Sequence, residues 1–209
     1  MRWEAVREQR QLRLCHEGEA VLSLPLDQGG RYRLVAPDVP GIDGVLAALE
    51  SVPGVAVLPA DGGLLGAMTV SANLSLALSY GVEVDAQARR DWDHTLRLAF
   101  KLCGVSEERQ RTLAREQPMR MERQERWLAG FMLQLMRPPE LLVFDRAFTG
   151  LSRRQADTVI ALVSVYHEFH PFRPTLFVDL DAHGLPEIPQ CRGTVELGAE
   201  STEVQTCPC

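Results

Sequence analysis

Hydrophobic and polar positions alternate loosely from residue 11 to residue 36. The runs are Leu12-Arg13-Leu14, Val21-Leu22-Ser23-Leu24-Pro25-Leu26 and Arg31-Tyr32-Arg33-Leu34-Val35-Ala36. A period of two, broken by the turn residues Asp27-Gln28-Gly29-Gly30, predicts hairpin-like strands. Pro37 to Gly44 reads as a loop and Val45 to Leu49 as a short helical stretch. Val55 to Leu58 is an apolar strand closed by Pro59.

The spacing then changes to that of helices. Thr69 predicts an N-cap for a helix reaching about Ser79. Ala86 to Cys103 places Trp92, Leu96, Ala99, Phe100 and Cys103 near helical spacing, and Glu107 to Arg115 is a charged helix that Pro118 ends. Met121 to Met136 carries Leu128, Met132 and Leu135 on one side. Leu141 to Phe144 is a buried strand ending at Asp145. Ser152 to His167 is a helix, Thr175 to Val178 a further strand, and Cys191 to Leu197 a last one before a polar, loose tail. Strands followed by alternating helices and apolar strands predict a parallel sheet covered by helices. In such sheets chemistry sits at the carboxyl ends of strands. The candidate positions are after Ala36, after Leu58, at Asp145 and after Val178.

Composition narrows the chemistry. At 209 residues the chain suits one α/β domain, or a core with a small subdomain. A net charge of −6 argues against a surface built to coat nucleic acid. Among 22 basic residues Lys101 is the one lysine, so any mechanism that needs a lysine has a single candidate. Cys15, Cys103, Cys191, Cys207 and Cys209 are an odd, scattered set that reads as reduced thiols. The Cys207-Pro208-Cys209 tail is open to metal binding or oxidation, with a floppy end as the simpler reading. The uncharged run from Gly62 to Val82 is long enough to raise the question of a membrane span, but Thr69, Ser71, Asn73, Ser75 and Ser79 favour a loop entering a buried helix. His167 and His170 are spaced to share a metal, but His-Glu-x-x-His is absent and a solvated helix end is the simpler reading. The Arg- and Glu-rich stretch 107–126 reads as a solvated face or a partner surface.

Two segments carry a resemblance. Pro139-Glu140-Leu141-Leu142-Val143-Phe144-Asp145-Arg146-Ala147-Phe148-Thr149-Gly150-Leu151-Ser152 resembles the Walker B strand and following loop of ABC-transporter ATPases. Gly63-Leu64-Leu65-Gly66-Ala67-Met68-Thr69-Val70-Ser71-Ala72-Asn73-Leu74 is similar to the segment after the Q-loop in the lipid-transporting Mla-type members. The resemblance implies an α/β fold, a P-loop NTPase-like ABC nucleotide-binding domain with a helical subdomain and a reduced antiparallel β subdomain. The reduction is inferred because Leu49 runs almost directly to the Val55 strand. It implies a single domain over 1–209. Within it, 1–63 holds the N-terminal strands and phosphate loop, 64–136 the helical subdomain, 137–198 the C-terminal core sheet and 199–209 a flexible tail.

The same resemblance places the ATP-handling positions, and the residues there oppose ATP chemistry. A phosphate loop needs glycine amides, a lysine and a Mg²⁺-binding hydroxyl. Its expected place is Ala36-Pro37-Asp38-Val39-Pro40-Gly41-Ile42-Asp43-Gly44, where only Gly41 agrees. Ile42 stands at the lysine position and Asp43 at the hydroxyl. Pro37 and Pro40 lack amide donors, and Asp38 and Asp43 repel phosphate. Asp145 matches the Mg²⁺-supporting carboxylate, with an ordinary strand-end carboxylate bonded to Arg146, Ser152 or an amide as the plainer reading. Arg146 replaces the glutamate that orients water and cannot accept a proton. Pro59 stands at the Q-loop glutamine, Met121-Glu122-Arg123-Gln124-Glu125 at the signature, Leu180 at the switch histidine and Ser152 at the D-loop aspartate.

The expectation is therefore a catalytically inactive ABC-type homologue, a structural or regulatory subunit of a membrane transporter, with no resident cofactor or metal. The resemblance implies a permease partner that docks beside Leu64 to Leu78, a homodimer or another ATPase subunit as further partners, and a cytoplasmic place peripheral to the inner membrane. Two alternatives stay open: an atypical site that still binds ATP and Mg²⁺, and an interaction protein that kept only the fold.

Overall fold

The structure is a computed structural model, and it describes residues 2–79, 100–101, 104–136, 138–180, 187–189, 191–197 and 205–206. The chain divides into two compact units, Met1–Val57 with Pro139–Cys209, and Leu58–Pro138.

The first unit begins with three antiparallel strands, β1 (Trp3–Glu8), β2 (Gln11–His16) and β3 (Glu19–Pro25), in the order β1-β2-β3. β1 lies upstream of the alternation read from the sequence. The two-residue link between His16 and Glu19 has both residues at positive φ, Glu17 at 52° and Gly18 at 88°. That backbone twist matches the twist of the flanking strands. Leu12, Leu14, Leu22 and Leu24 all point inward, which is the period-two face.

The strand that follows departs from its expected role. β4 (Arg31–Ala36) does not join the hairpins; it is buried along its whole length between β7 and β8 of a second sheet. Arg31 and Arg33 made it look half-exposed. They are buried because each has a partner: Arg31 donates to the Pro189 carbonyl at 2.7 Å and to Ser164 Oγ at 3.0 Å, and Arg33 Nε lies 3.9 Å from Asp179 Oδ2. The second sheet also contains β5 (Val55–Leu58), β6 (Leu141–Asp145), β7 (Thr175–Leu180), β8 (Cys191–Glu196) and β9 (Gln205–Thr206), in the order β5-β6-β7-β4-β8-β9. The pairs β4/β7, β4/β8 and β6/β7 are parallel, as expected, and β9 pairs antiparallel with β8. Those two residues of the expected loose tail are thus tied into the sheet. The rest of 198–209, with Cys207 and Cys209, lies outside the described residues, as do Cys103 and most of the expected 86–103 helix.

Helix α1 (Val39–Glu50) fills the space between the two sheets of this unit. Its Ile42, Val45, Leu46 and Leu49 meet Leu12, Leu14, Leu22 and Leu24 on one side and Leu34, Val143, Leu176 and Val178 on the other. The opposite face of the parallel sheet carries α5 (Arg153–Phe169), which Arg31–Ser164 and Thr175–His167 contacts attach. Ser152 starts α5 as a full capping box with Gln155.

The second unit holds α2 (Val70–Ser79), α3 (Glu107–Leu113), a short 3₁₀ turn Pro118–Arg120 and α4 (Arg123–Met136). Thr69 Oγ1 accepts the Ala72 amide at 3.2 Å, the expected cap. Asn73 is buried and staples the preceding loop. Its Oδ1 accepts the Leu65 amide at 2.8 Å, and its Nδ2 donates to the carbonyls of Leu65 and Thr69 at 3.2 and 3.0 Å. So Thr69 and Asn73, two of the residues that carried the resemblance, have local architectural work. Gly62, at φ 91°, sits against α4 so closely that a Cβ on Gly130 would overlap the Gly62 carbonyl. Residues 62–69 form a loop before α2, and among the described residues no helix is long and apolar enough to cross a membrane.

Candidate functional site

The expected phosphate loop at 36–44 is not a loop. β4 ends at Ala36, only Pro37 and Asp38 intervene, and α1 starts at Val39. The reason is local chemistry that the sequence reading passed over. Asp38 is the N-cap, in extended backbone, and its Oδ1 accepts the Gly41 amide at 2.7 Å. Pro40, in the first turn, gives up an amide that a helix start leaves unpaired anyway. A carboxylate followed by a proline and a small residue is a recognisable helix-start signal. The positive end of α1, which would attract an external anion, is therefore already faced by the chain's own carboxylate. Ile42 is completely buried in the core. A side chain at that position points into the apolar cluster.

The two glycines of this stretch also have packing roles. A Cβ on Gly41 would lie 2.9 Å from Asp38 Oδ1, and a Cβ on Gly44 would lie 2.6 Å from Trp3 Cδ1. Asp43 is exposed on α1, and Ala36 is buried at the strand end.

At the end of β6, Asp145 is buried and its carboxylate is held by its own neighbour. Arg146 Nε donates to Asp145 Oδ1 at 2.6 Å and Nη2 donates to Oδ2 at 3.1 Å. The remaining edge of the guanidinium reaches Asp43, with Nη1 at 3.4 Å from Oδ1. Arg146 adopts φ 47°, a left-handed conformation that costs a side-chain-bearing residue energy, and its amide donates to the Val178 carbonyl at 2.8 Å. The hydrogen bonds from Arg146 to Asp145 push the arginine pKa up, with Asp43 adding to the effect. Of the three partners considered for Asp145, Arg146 is the one found; the bridge to Asp43 had no sequence signal, because residues 43 and 146 meet only through the fold.

Asp179, next to the switch position on β7, is a buried carboxyl that sequence reading did not single out. Burial pushes its pKa up to about 7, against the attraction of Arg33 and the Phe148 backbone, with Asp145 adding a like charge. Leu180 ends β7 half-exposed and packs against the apolar cluster. His167 is not a solvated helix end: its Nε2 lies 3.1 Å from Thr175 Oγ1, and burial, aided by Arg31, His170 and Arg192, lowers its pKa to about 4. His170 terminates α5 and stacks edge-on with Tyr166. Among the described residues no three or more His, Cys, Asp and Glu side chains gather to hold a metal, and Cys15 and Cys191 are free thiols.

Pro59 and residues 121–125 belong to the second unit. Pro59 closes a turn, its carbonyl accepting the Gly62 amide at 2.9 Å. Met121 is buried, and Glu122 and Arg123 are exposed. Arg123 Nε donates to the Ala60 carbonyl at 3.3 Å. Glu125 accepts Arg109 Nε and Nη2 through both oxygens at 2.8 Å and also accepts the Glu122 amide at 3.1 Å. Arg109 is held by Glu116 as well, at 2.6 and 3.1 Å. Arg109, Glu122, Gln124 and Glu125, with Ser106 and Leu128, line a groove of about 270 Å³ at the start of α4. The mixed charges of 107–126 are thus partly paired with each other across α3 and α4.

No protein-family model and no curated protein matches the chain. Solved structures do. The chain is similar to the ATP-binding cassette MJ0796, in a dimeric post-hydrolysis state bound to ADP and Pi. The TM-score is 0.65 at 11% identity, over 100% of this chain and 97% of that one. It is similar to an ATP-binding subunit of an ABC transporter, with TM-score 0.63 at 12% identity over 87% and 81%. It is also similar to cbiO1 of Clostridium perfringens, part of the ABC transporter complex cbiONQ, with TM-score 0.54 at 11% identity over 93% and 82%. The fold is that of an ABC-type nucleotide-binding domain, a parallel sheet and an antiparallel sheet with helices.

Proposed function

We propose that this chain is a catalytically inactive ABC-type ATPase homologue, a structural or regulatory subunit of a membrane transporter. The observation that carries the reading is the start of α1. Asp38 caps the helix and the side chain at the lysine position, Ile42, is in the core. An ATP phosphate brought there would meet the Asp38 carboxylate already bonded to the Gly41 amide, with Asp43 on the same helix. Mg²⁺ would compete with the guanidinium of Arg146 for Asp145. The residues present are a poor fit to Mg²⁺–ATP, and no catalytic step is assigned to them.

In this reading the chain sits at the cytoplasmic face of the inner membrane, docked on a permease subunit. It pairs with a second copy or with another ATPase subunit, and a lipid is the cargo that the 63–74 segment favours. The fold supports it through structural relatives that dimerise or form part of a transporter complex.

Calorimetric titration of the whole protein with Mg²⁺–ATP, run beside a phosphate-release assay, tests the inactive half. The expected result is no saturable heat at micromolar nucleotide and no phosphate above the buffer blank. Micromolar binding sinks the reading and favours an atypical ATPase. Detergent extraction of the tagged chain from its native membranes tests the transporter half. Recovery with a polytopic membrane protein is expected. Recovery from the soluble fraction alone would leave an interaction protein that kept only the fold.

A further inference from the structure

We infer that Arg146 is a resident cation, a built-in strut that ties the end of β6 to α1 through Asp145 and Asp43. The inference rests on the inactive reading above and goes beyond it, because it assigns a role to what replaced the metal rather than noting a loss. Three observations support it. The guanidinium grips both oxygens of a buried carboxylate, at 2.6 and 3.1 Å, and its third nitrogen reaches a carboxylate on a different element at 3.4 Å. Such forked, charge-assisted pairs are the strong ones. The residue holds φ 47° at the strand end, a left-handed conformation that costs a side-chain-bearing residue energy, with its amide fixed on the Val178 carbonyl. And Asp43 and Asp145 are 102 positions apart in sequence, so the bridge closes a long stretch of chain.

The charges nearby define what Arg146 must balance. Asp145 faces it from β6 and Asp43 from α1; Asp179 lies near Asp145 on β7 with Arg33 beside it. Removing the guanidinium would leave Asp145 buried beside two further acidic groups without its cation. Asp145 and Asp43, the two carboxylates that the guanidinium bridges, would then be open to a divalent ion, which is the state the arginine pre-empts.

Arg146→Gln tests this, since it removes the charge and keeps the backbone cost of a side chain at positive φ. Thermal unfolding of the full chain and Mn²⁺ binding by electron paramagnetic resonance are the two readouts. The wild type is expected to ignore Mn²⁺. Arg146→Gln is expected to lower Tm by roughly 4–8 °C, the scale for losing a partly buried pair in a chain of this size. It should recover about 3 °C when Mn²⁺ is added well above its dissociation constant. Arg146→Lys, which keeps the charge on a similar stem, should lose less and stay blind to Mn²⁺.

An unchanged Tm in Arg146→Gln overturns the strut. A lowered Tm with no gain of Mn²⁺ binding overturns the cation role, leaving mere packing. Should Arg146→Gln fail to fold, Mn²⁺ binding by the wild type or by Arg146→Lys overturns it, and its absence in both supports it. Each of these outcomes is separate from ATP binding by the wild type, which bears on the inactive reading alone.

Discussion

The carboxylate of Asp38 and the backbone of Gly41 occupy one another's space: Oδ1 accepts the Gly41 amide at 2.7 Å, and a Cβ on residue 41 would sit 2.9 Å from that same oxygen. The cap and the glycine are therefore one device. Asp38→Ala should cost about 1 kcal/mol, the usual value of a lost N-cap. Gly41→Ala should change stability by less than about 0.5 kcal/mol, because the helix-propensity gain of about 1 kcal/mol is offset by a disturbed cap. Made on top of Asp38→Ala, the same change should stabilise by about 0.8 kcal/mol. Denaturant melts of the four proteins decide this, and additivity would refute the coupling.

The contact of Gly62 with α4 leads to a larger effect. Glycine in a helix normally costs stability relative to alanine. At Gly130 the opposite is expected, because the Cβ would overlap a backbone carbonyl that no rotamer can move aside. Gly130→Ala should destabilise by about 3 kcal/mol, in the range of overpacking with backbone displacement. A stabilised variant would show that the loop at 62 is not seated on α4.

Asn73→Asp should be far worse than its size suggests. The amide nitrogen donates to the carbonyls of Leu65 and Thr69, and a carboxylate would present an acceptor to them from a buried position. A loss of about 3 kcal/mol at pH 7 is expected, shrinking as pH falls and the acid takes up a proton that can donate. Parallel melts at pH 7 and pH 5 check it; a loss independent of pH would contradict the donor role.

A buried carboxyl and a half-buried imidazole should make opposite contributions to the pH profile. Asp179 has its pKa raised from 3.8 to about 7, so the folded state holds more protons between those values. Its contribution to stability is present below 3.8 and is lost as pH rises through about 7. His167 has its pKa lowered from 6.5 to about 4, so the unfolded state binds more protons there. Its contribution is present above 6.5 and is lost as pH falls through about 4. In the wild type the slopes oppose each other between about 4 and 6.5. Asp179→Asn should then lose stability as pH falls through that window, and His167→Gln should gain it. Melts across the window read the sign directly, and parallel profiles in all three proteins would refute the assignment.

The order of elements was largely legible because local rules governed it. The strands ending at Ala36, Leu58 and Asp145, the Thr69 cap and the Ser152 helix start all follow from neighbouring residues. Asp38 was legible in principle as well, since an N-cap followed by proline is a local signal; the two prolines and two glycines of Pro37 to Gly44 mask it by looking like a loop. β4 misled because Arg31 and Arg33 look solvated until their partners at 164, 179 and 189 arrive.

What the sequence determined by itself was the chemistry available: one lysine, Lys101, 65 positions along the chain from Ala36, and an arginine, Arg146, directly after Asp145. These are facts of composition that no folding can alter. What only the tertiary structure decided was which charges face each other. Asp43, Asp145 and Arg146 meet because α1 packs on the sheet whose β6 ends beside it. Asp179 and His167 acquire their shifted pKa values because packing removes water from them. Contact across long sequence separations and loss of solvent are properties of the packed core, and neither is written in the local order of residues.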